Sequence, residues 1–178
     1  MAEIHTERLY LRNITENDAK DIYEYAKSTK VGSGAGWAPH ESIKDTKIII
    51  KNIFMTRPYI FGIVLPELNK VIGTISLVSD IKREYSNSLM LGYALSYKYW
   101  NNGYATEAAK AVIEYGFNTL NADIIAAYCY PFNKASQHIL DKLGFTLEGI
   151  QRMAELRYDG KIFDNYCYSL LKSEYLSS

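Results

Sequence analysis

The chain has 178 residues, 48% of them hydrophobic and 22% charged, which suits one core-forming globular domain, and residues 1–178 are read as that single domain. Twenty basic side chains balance twenty acidic ones, which argues against nucleic acid or an anionic membrane as a partner. No apolar run is long enough to cross a bilayer and the stretch Met1 to His5 has no targeting pattern, so a cytoplasmic protein is expected.

In chain order, Ile4 to Asn13 mixes apolar and polar residues as a partly exposed first strand does. Thr15 and Asp18 form a capping-box pattern for a helix whose inward face carries Ala19, Ile22, Tyr23 and Ala26. Gly32, Gly34 and Gly36 followed by Trp37 predict an irregular loop over residues 31–39 that lines a cleft, with Trp37 and the nearby Glu41 as acceptor contacts. Ser42 and Asp45 start a second helix with a stripe of Ile43, Ile49, Ile50, Ile53 and Phe54, which Pro58 ends.

Strands are predicted over 59–65 and 71–79, then a solvated connection over 80–87, then a strand over 88–96. A helix from about Gly103 presents Ala105, Ala108, Ala109, Val112, Ile113 and Gly116 on one face. After it come a buried strand over 123–130, a helix from Asn133 closed by Gly144, a strand over 146–152, and a hairpin at Asp159-Gly160 leading into a strand over 162–171. Cys129 and Cys167 lie in apolar, tyrosine-rich runs and read as buried free thiols. His5, His40 and His138 have no metal-ligand spacing, so no metal is expected.

Two segments carry chemistry. In Tyr99-Trp100-Asn101-Asn102-Gly103-Tyr104-Ala105-Thr106-Glu107, a glycine-containing turn opens a helix, where unpaired backbone N–H groups and a positive dipole suit a pyrophosphate. In Asn133-Lys134-Ala135-Ser136, the three-residue spacing puts Asn133 and Ser136 on one helix face; Asn133 is also a good N-cap.

The first segment resembles the R/Q-x-x-G-x-G/A pyrophosphate loop of the GNAT superfamily of N-acetyltransferases, with Trp100 at its first position, Gly103 at its fourth and Ala105 at its sixth. Trp100 in place of Arg or Gln is similar to the branch of ribosomal-protein alanine and serine N-acetyltransferases, with Asn101 replacing that branch's glycine. The resemblance extends to Thr6–Arg12, Trp37-Ala38-Pro39-His40, Ile72-Gly73, Leu91-Gly92-Tyr93 and the Asn133…Ser136…Lys142-Leu143-Gly144-Phe145 run.

The resemblance implies an α/β fold of the α+β kind: a mixed, mostly antiparallel central sheet of about seven strands with about four flanking helices. The sheet would splay between its two central parallel strands. Acetyl-CoA would be the cosubstrate, bound by Asn101, Asn102, Gly103, Tyr104, Ala105 and Thr106 at the pyrophosphate and by Asn133, Ser136 and the Leu95 main chain along the pantetheine. The carboxylate that many members carry on the strand before the loop is here Met90. The branch offers Glu155 as general base instead, probed against the reading of a loop carboxylate paired with Arg152 or Arg157, and Ser136 as the acid. The acceptor implied is a protein or peptide amino terminus; a small amine, or a non-catalytic acyl-CoA-binding module, are the alternatives. Either a monomer or a homodimer is compatible.

Overall fold

A computed structural model describes residues 3–177; Met1 and Ala2, part of the stretch read for targeting, lie outside the described residues. Among the described residues one open sheet has eight strands in the order β1-β2-β3-β4-β5-β6-β8-β7, with six α-helices. Every neighbouring pair is antiparallel except β5 and β6.

The expected first strand is two, β1 (Ile4–His5) and β2 (Tyr10–Asn13). Thr6 folds the chain between them, its N–H donating to Leu9 O at 2.9 Å and its Oγ1 accepting from Leu9 N–H at 2.9 Å. The capping box holds: Thr15 N–H donates to Asp18 Oδ2 at 2.7 Å, and α1 (Ala19–Ala26) buries Ala19, Ile22, Tyr25 and Ala26.

The predicted loop over 31–39 is in part a helix, α2 (Thr29–Ala35), ended by Gly36 at φ 84°. Its glycines serve close packing as well as turning: a Cβ on Gly32 would stand 2.7 Å from the Trp37 carbonyl oxygen. α3 (Ile43–Ile49) starts at Ser42, whose Oγ accepts from Asp45 N–H, and continues as a π-helical turn over Ile50–Phe54.

β3 (Ile60–Leu65), β4 (Lys70–Ser79) and β5 (Ser88–Leu95) form a meander. The connection over 80–87 is not wholly solvated, because Asp80 is buried and takes hydrogen bonds from Tyr128, Arg83 and Ser88. α4 (Tyr104–Asn118), β6 (Ile124–Cys129), α5 (Lys134–Lys142), β7 (Thr146–Leu156), β8 (Ile162–Leu171) and α6 (Lys172–Ser177) complete the chain. β7 runs four residues past its expected end.

Strand alternation divides the core between the two faces of the sheet. Ile63, Ile75, Leu77 and Ile125 pack with α4 residues Ala108, Ala109, Val112, Ile113 and Phe117. Val64, Val71 and Ala94 pack with Ile22, Tyr25 and Ala26 of α1, Val31 of α2 and Ile50 beyond α3. α4 lies close because Gly116 lets Leu77 and Ile125 approach to where a Cβ would be 2.8 and 2.9 Å away. Cys129 is buried, Cys167 only partly, and both are free thiols.

Candidate active site

β6 pairs with β5 only from Ser88 to Met90, although β5 continues to Leu95. The two parallel strands therefore part, and a cleft of about 1120 Å³ opens there, reaching from the start of α4 to α2 and the far end of β7. Ser96 N–H donates to Ile72 O at 2.8 Å, so the ladder alternation turns the main chain of Tyr93 and Leu95 away from β4 and into the gap. The Leu95 carbonyl is taken by Trp100 Nε1 at 2.8 Å, which leaves its N–H, like that of Tyr93, as a main-chain donor facing the cleft. Trp100 thus has a structural task at the position where Arg or Gln was expected.

The turn before α4 is held open by its backbone. Asn101 has φ 61° and Gly103 φ 80°, both left-handed, and a Cβ on Gly103 would meet the Arg8 guanidinium at 3.3 Å. Asn102 turns its side chain back, Nδ2 donating to Tyr99 O at 3.2 Å and Trp100 O at 2.9 Å. The first intrahelical bond, Glu107 N–H to Gly103 O, leaves the amides of Tyr104, Ala105 and Thr106 at the helix mouth without helical acceptors. Left-handed turn, free first-turn amides and adjoining gap fit a pyrophosphate with its arm along β5.

The amino-terminal hairpin pins this turn. Thr6 Oγ1 and Arg8 N–H donate to Glu107 Oε1 at 2.6 and 2.8 Å, and Arg8 Nε donates to Oε2 at 2.7 Å. Arg8 also donates to Asn102 O at 3.0 Å and stacks on the Tyr104 ring at 4.7 Å. Burial pushes the Glu107 carboxyl upward, but the Thr6 hydroxyl and the Arg8 backbone and guanidinium outweigh it and hold the group below the ordinary glutamate range.

At the middle of the cleft, Asn133 caps α5: its Oδ1 accepts from Ser136 N–H at 3.1 Å while its Nδ2 donates to Gly34 O at 3.1 Å. It ties α5 to α2, and one amide hydrogen remains uncommitted among the described residues. Ser136 Oγ lies 2.8 Å from the Tyr93 hydroxyl, whose pKa burial pushes up to about 12. Of the tyrosines on β8, Tyr168 is core and Tyr166 lies under Lys134.

Glu155 enters the cleft from β7. Tyr130 Oη donates to its Oε1 at 2.5 Å and Asn165 Nδ2 to its Oε2 at 3.4 Å. Burial first, then the facing carboxylate, raises the Tyr130 pKa well above the usual phenol range, so it remains a donor. Neither Arg152 nor Arg157 is the partner: Arg157 pairs with Asp159 at 2.6 Å, donates to Ser33 O at 3.2 Å and packs over the Phe163 ring. A β-bulge aims Glu155. Between Gln151 opposite Asn165 and Glu155 opposite Phe163, three residues of β7 face one of β8. Met153 takes φ 50° there and its N–H donates to Asp164 Oδ1 at 2.8 Å. Gly36 closes over the pair, where a Cβ would come within 2.9 Å of Tyr130 Oη and 3.0 Å of Glu155 Oε1.

Trp37 lines the cleft, and the structure does not bring Glu41 there. Glu41 is exposed in the segment before α3, its carbonyl accepting from Tyr23 Oη at 3.2 Å, so that its neighbour His40 lines the cleft and Glu41 does not. Among the described residues no three His, Cys, Asp or Glu side chains gather as a metal-binding group, and His40 instead bonds Thr46 Oγ1 at 2.9 Å. No described helix is long and apolar enough to cross a membrane. Tyr93, Tyr130, Asp164 and the Thr6–Arg8–Glu107 clamp are site components that sequence reading missed. For the clamp a signal existed, since both of its halves lie inside the quoted motifs.

A parted parallel pair beside a left-handed turn and an open helix mouth defines an acyl-CoA-using transferase. Residues 8–146 match the acetyltransferase (GNAT) domain family, and the chain belongs to that family. The uncharacterized N-acetyltransferase p20 of Bacillus licheniformis is 31% identical over 179 residues, covering 98% of this chain and 99% of that protein. The uS5-alanine N-acetyltransferase of Escherichia coli is 26% identical over 156 residues, 81% of this chain and 78% of that protein. A crystal structure of a GNAT-family acetyltransferase from Bacillus anthracis superposes with a TM-score of 0.86 at 26% identity, covering 97% of this chain and 100% of that one. This chain is an acetyl-CoA-dependent N-acetyltransferase.

Proposed function

We propose that this single-domain, cytoplasmic enzyme acetylates the amino-terminal amine of a peptide or protein, with Glu155 as general base and Ser136 at the leaving sulfur. The observation that carries the reading is the Glu155 carboxylate, held in the cleft by a neutral phenol and an amide rather than by a cation. An α-amine has a pKa of about 8, so roughly a tenth of it is already neutral at pH 7, and a carboxylate acting directly or through one water takes the proton that the nitrogen sheds as the C–N bond forms.

The amides of Tyr104, Ala105 and Thr106, with Asn101, Asn102 and Gly103 shaping the turn, would hold the pyrophosphate of acetyl-CoA, and Asn133 the pantetheine arm. The Leu95 N–H would polarise the thioester carbonyl. The amine nitrogen forms the C–N bond, the C–S bond breaks, the nitrogen's proton goes to Glu155, and Ser136 supplies a proton to the thiolate. The Ser136 hydroxyl would be resupplied through Tyr93 from solvent, and Glu155 would release its proton to solvent as product leaves, so no net proton is taken up.

Two relatives bear on the acceptor. The uS5-alanine enzyme aligns with 81% of this chain, whereas the spermidine N(1)-acetyltransferase of Escherichia coli aligns with 47%. The second reading, a small monoamine, is favoured by the apolar walls of the cleft near α1 and α2. The test is thiol release from acetyl-CoA with amino-terminal peptides, monoamines and polyamines, using wild type and Glu155→Gln. Peptide-dependent release that collapses in the variant supports the proposal; full activity in the variant would falsify the assignment of the base.

A further inference from the structure

We infer that two copies of this chain join through β7, antiparallel about a two-fold axis at Ile150, and that the join steadies the bulge carrying Glu155. The first part stands without the acetyl-transfer reading; the second rests on Glu155 as the base.

The two edges of the sheet differ. β1 ends it with two residues, whereas β7 ends it with eleven, paired on one side with β8 and on the other, among the described residues, with nothing. Leu147, Ile150, Met153, Leu156 and Ile162 of this hairpin are 45, 51, 73, 70 and 52% exposed. The register sorts them: Leu147 opposite Tyr168, Ile150 opposite Tyr166 and Leu156 opposite Ile162 share one face, while Gln151 and Glu155 lie on the cleft face with Asn165 and Phe163. Tyr168 belongs to the core, so this row continues the core outward into solvent. A long apolar edge of this kind is a template for another strand.

The residues around Ile150 match their own copy. A two-fold axis there sets Glu148 opposite Arg152 of the partner subunit, Leu147 opposite the partner's Met153, and Ile150 opposite itself. Arg152 has no hydrogen-bond or ion-pair partner among the described residues. Glu148 accepts from Arg83 and Ser169 at Oε1, which leaves Oε2 open. Gly149 to Gln151, the regular stretch between the two bulges, supplies the backbone of the join, and side chains supply the rest. The second bulge, which aims Glu155, lies within the interface, with Met153 at φ 50° and its N–H on Asp164. A copy that covers Met153 holds this bulge from outside, so the carboxylate is fully positioned in the dimer.

The experiment is sedimentation velocity of the whole protein at micromolar concentration. Wild type should sediment as a dimer, and Ile150→Asp and Ile150→Lys each as a monomer, since like charges then face each other across the axis. An equimolar mixture of the two variants should sediment as a dimer again, because opposite charges then meet at that position. In thiol release kcat should fall about tenfold in each variant and return in the mixture. Acetyl-CoA affinity, measured calorimetrically, should stay unchanged throughout, which separates a lost contact from a lost fold. A monomeric wild type, variants that remain dimeric, or a mixture that stays monomeric would overturn the join. Monomeric variants with wild-type kcat would overturn its effect on Glu155. A wild type without acetyl transfer would overturn that effect together with the reading it rests on, and sedimentation would still decide the join.

Discussion

At the α4 end of the cleft the groups facing outward are backbone amides, fixed by a left-handed turn and a side-chain clamp behind it; at the β7 end they are side chains, aimed by a bulge. In the first arrangement every residue but proline supplies an N–H, so the backbone shape set at Gly103 matters more than the side chains that flank it. Asn101 in place of a glycine, and Trp100 in place of Arg or Gln, illustrate this tolerance. The second depends on the identity of individual residues, so acceptor and chemistry vary there while cosubstrate use stays fixed.

Substitutions at the two ends should therefore separate kinetically. Glu155→Gln should have the largest effect, lowering kcat by roughly two to four orders of magnitude through loss of the base. The affinity for acetyl-CoA should stay unchanged in a binding titration. Equal losses in both quantities would mean that the two ends are not independent. Next is Asp164, a positioning residue: it holds the Met153 N–H in the bulge that turns Glu155 inward. Asp164→Ala should lower kcat about tenfold, since small misplacement of a reacting group is costly. Asp164→Asn, whose side-chain oxygen still accepts, should recover most of that loss. A merely structural role would lower the melting temperature without this rescue.

The same contrast explains what the sequence made legible. The helix mouth at Gly103 was readable because its requirements, a turn glycine and a helical pattern directly after it, are local. So was Asn133 as a cap, and both appear as expected. Glu155 was readable only through resemblance, since its neighbours suggest an ion pair with Arg152 or Arg157. The structure gives it Tyr130 instead, from β6, and gives Arg157 to Asp159. Glycines misled over residues 31–35, where close approach of Gly32 to Trp37 accompanies a helix that turn statistics oppose. Asp80 misled likewise, for a charge in a polar run reads as solvated until Tyr128, from β6, joins the neighbouring Arg83 to satisfy it. For Glu155 and Asp80 the missing information was a tyrosine from β6, a contact distant in sequence.

Ser136→Ala should be milder than either change at the β7 end. A serine hydroxyl is a poorly matched acid, and with Tyr93 2.8 Å away a water in the vacated space could be oriented by the phenol. A loss of kcat of about tenfold or less is expected, deepening in the double variant with Tyr93→Phe. If the double variant is no worse than Ser136→Ala, the phenol has no part in proton supply.

The smallest effect belongs to the clamp. Glu107 is held below its ordinary value of 4.5, so its contribution to stability is fully present above that pH and is lost as pH falls through the lower folded value. Arg8 is substantially exposed, and an exposed ion pair is worth little by itself. The geometry nevertheless gives Glu107 the Thr6 hydroxyl and the Arg8 amide as well, so Glu107→Gln should weaken acetyl-CoA binding by about two- to fivefold at neutral pH. The same variant should flatten the fall of melting temperature below pH 4.5. The Thr6–Arg8 hairpin reaches the helix mouth through its side chains, so a flat wild-type melting profile through that range would mean that these contacts do not hold the turn.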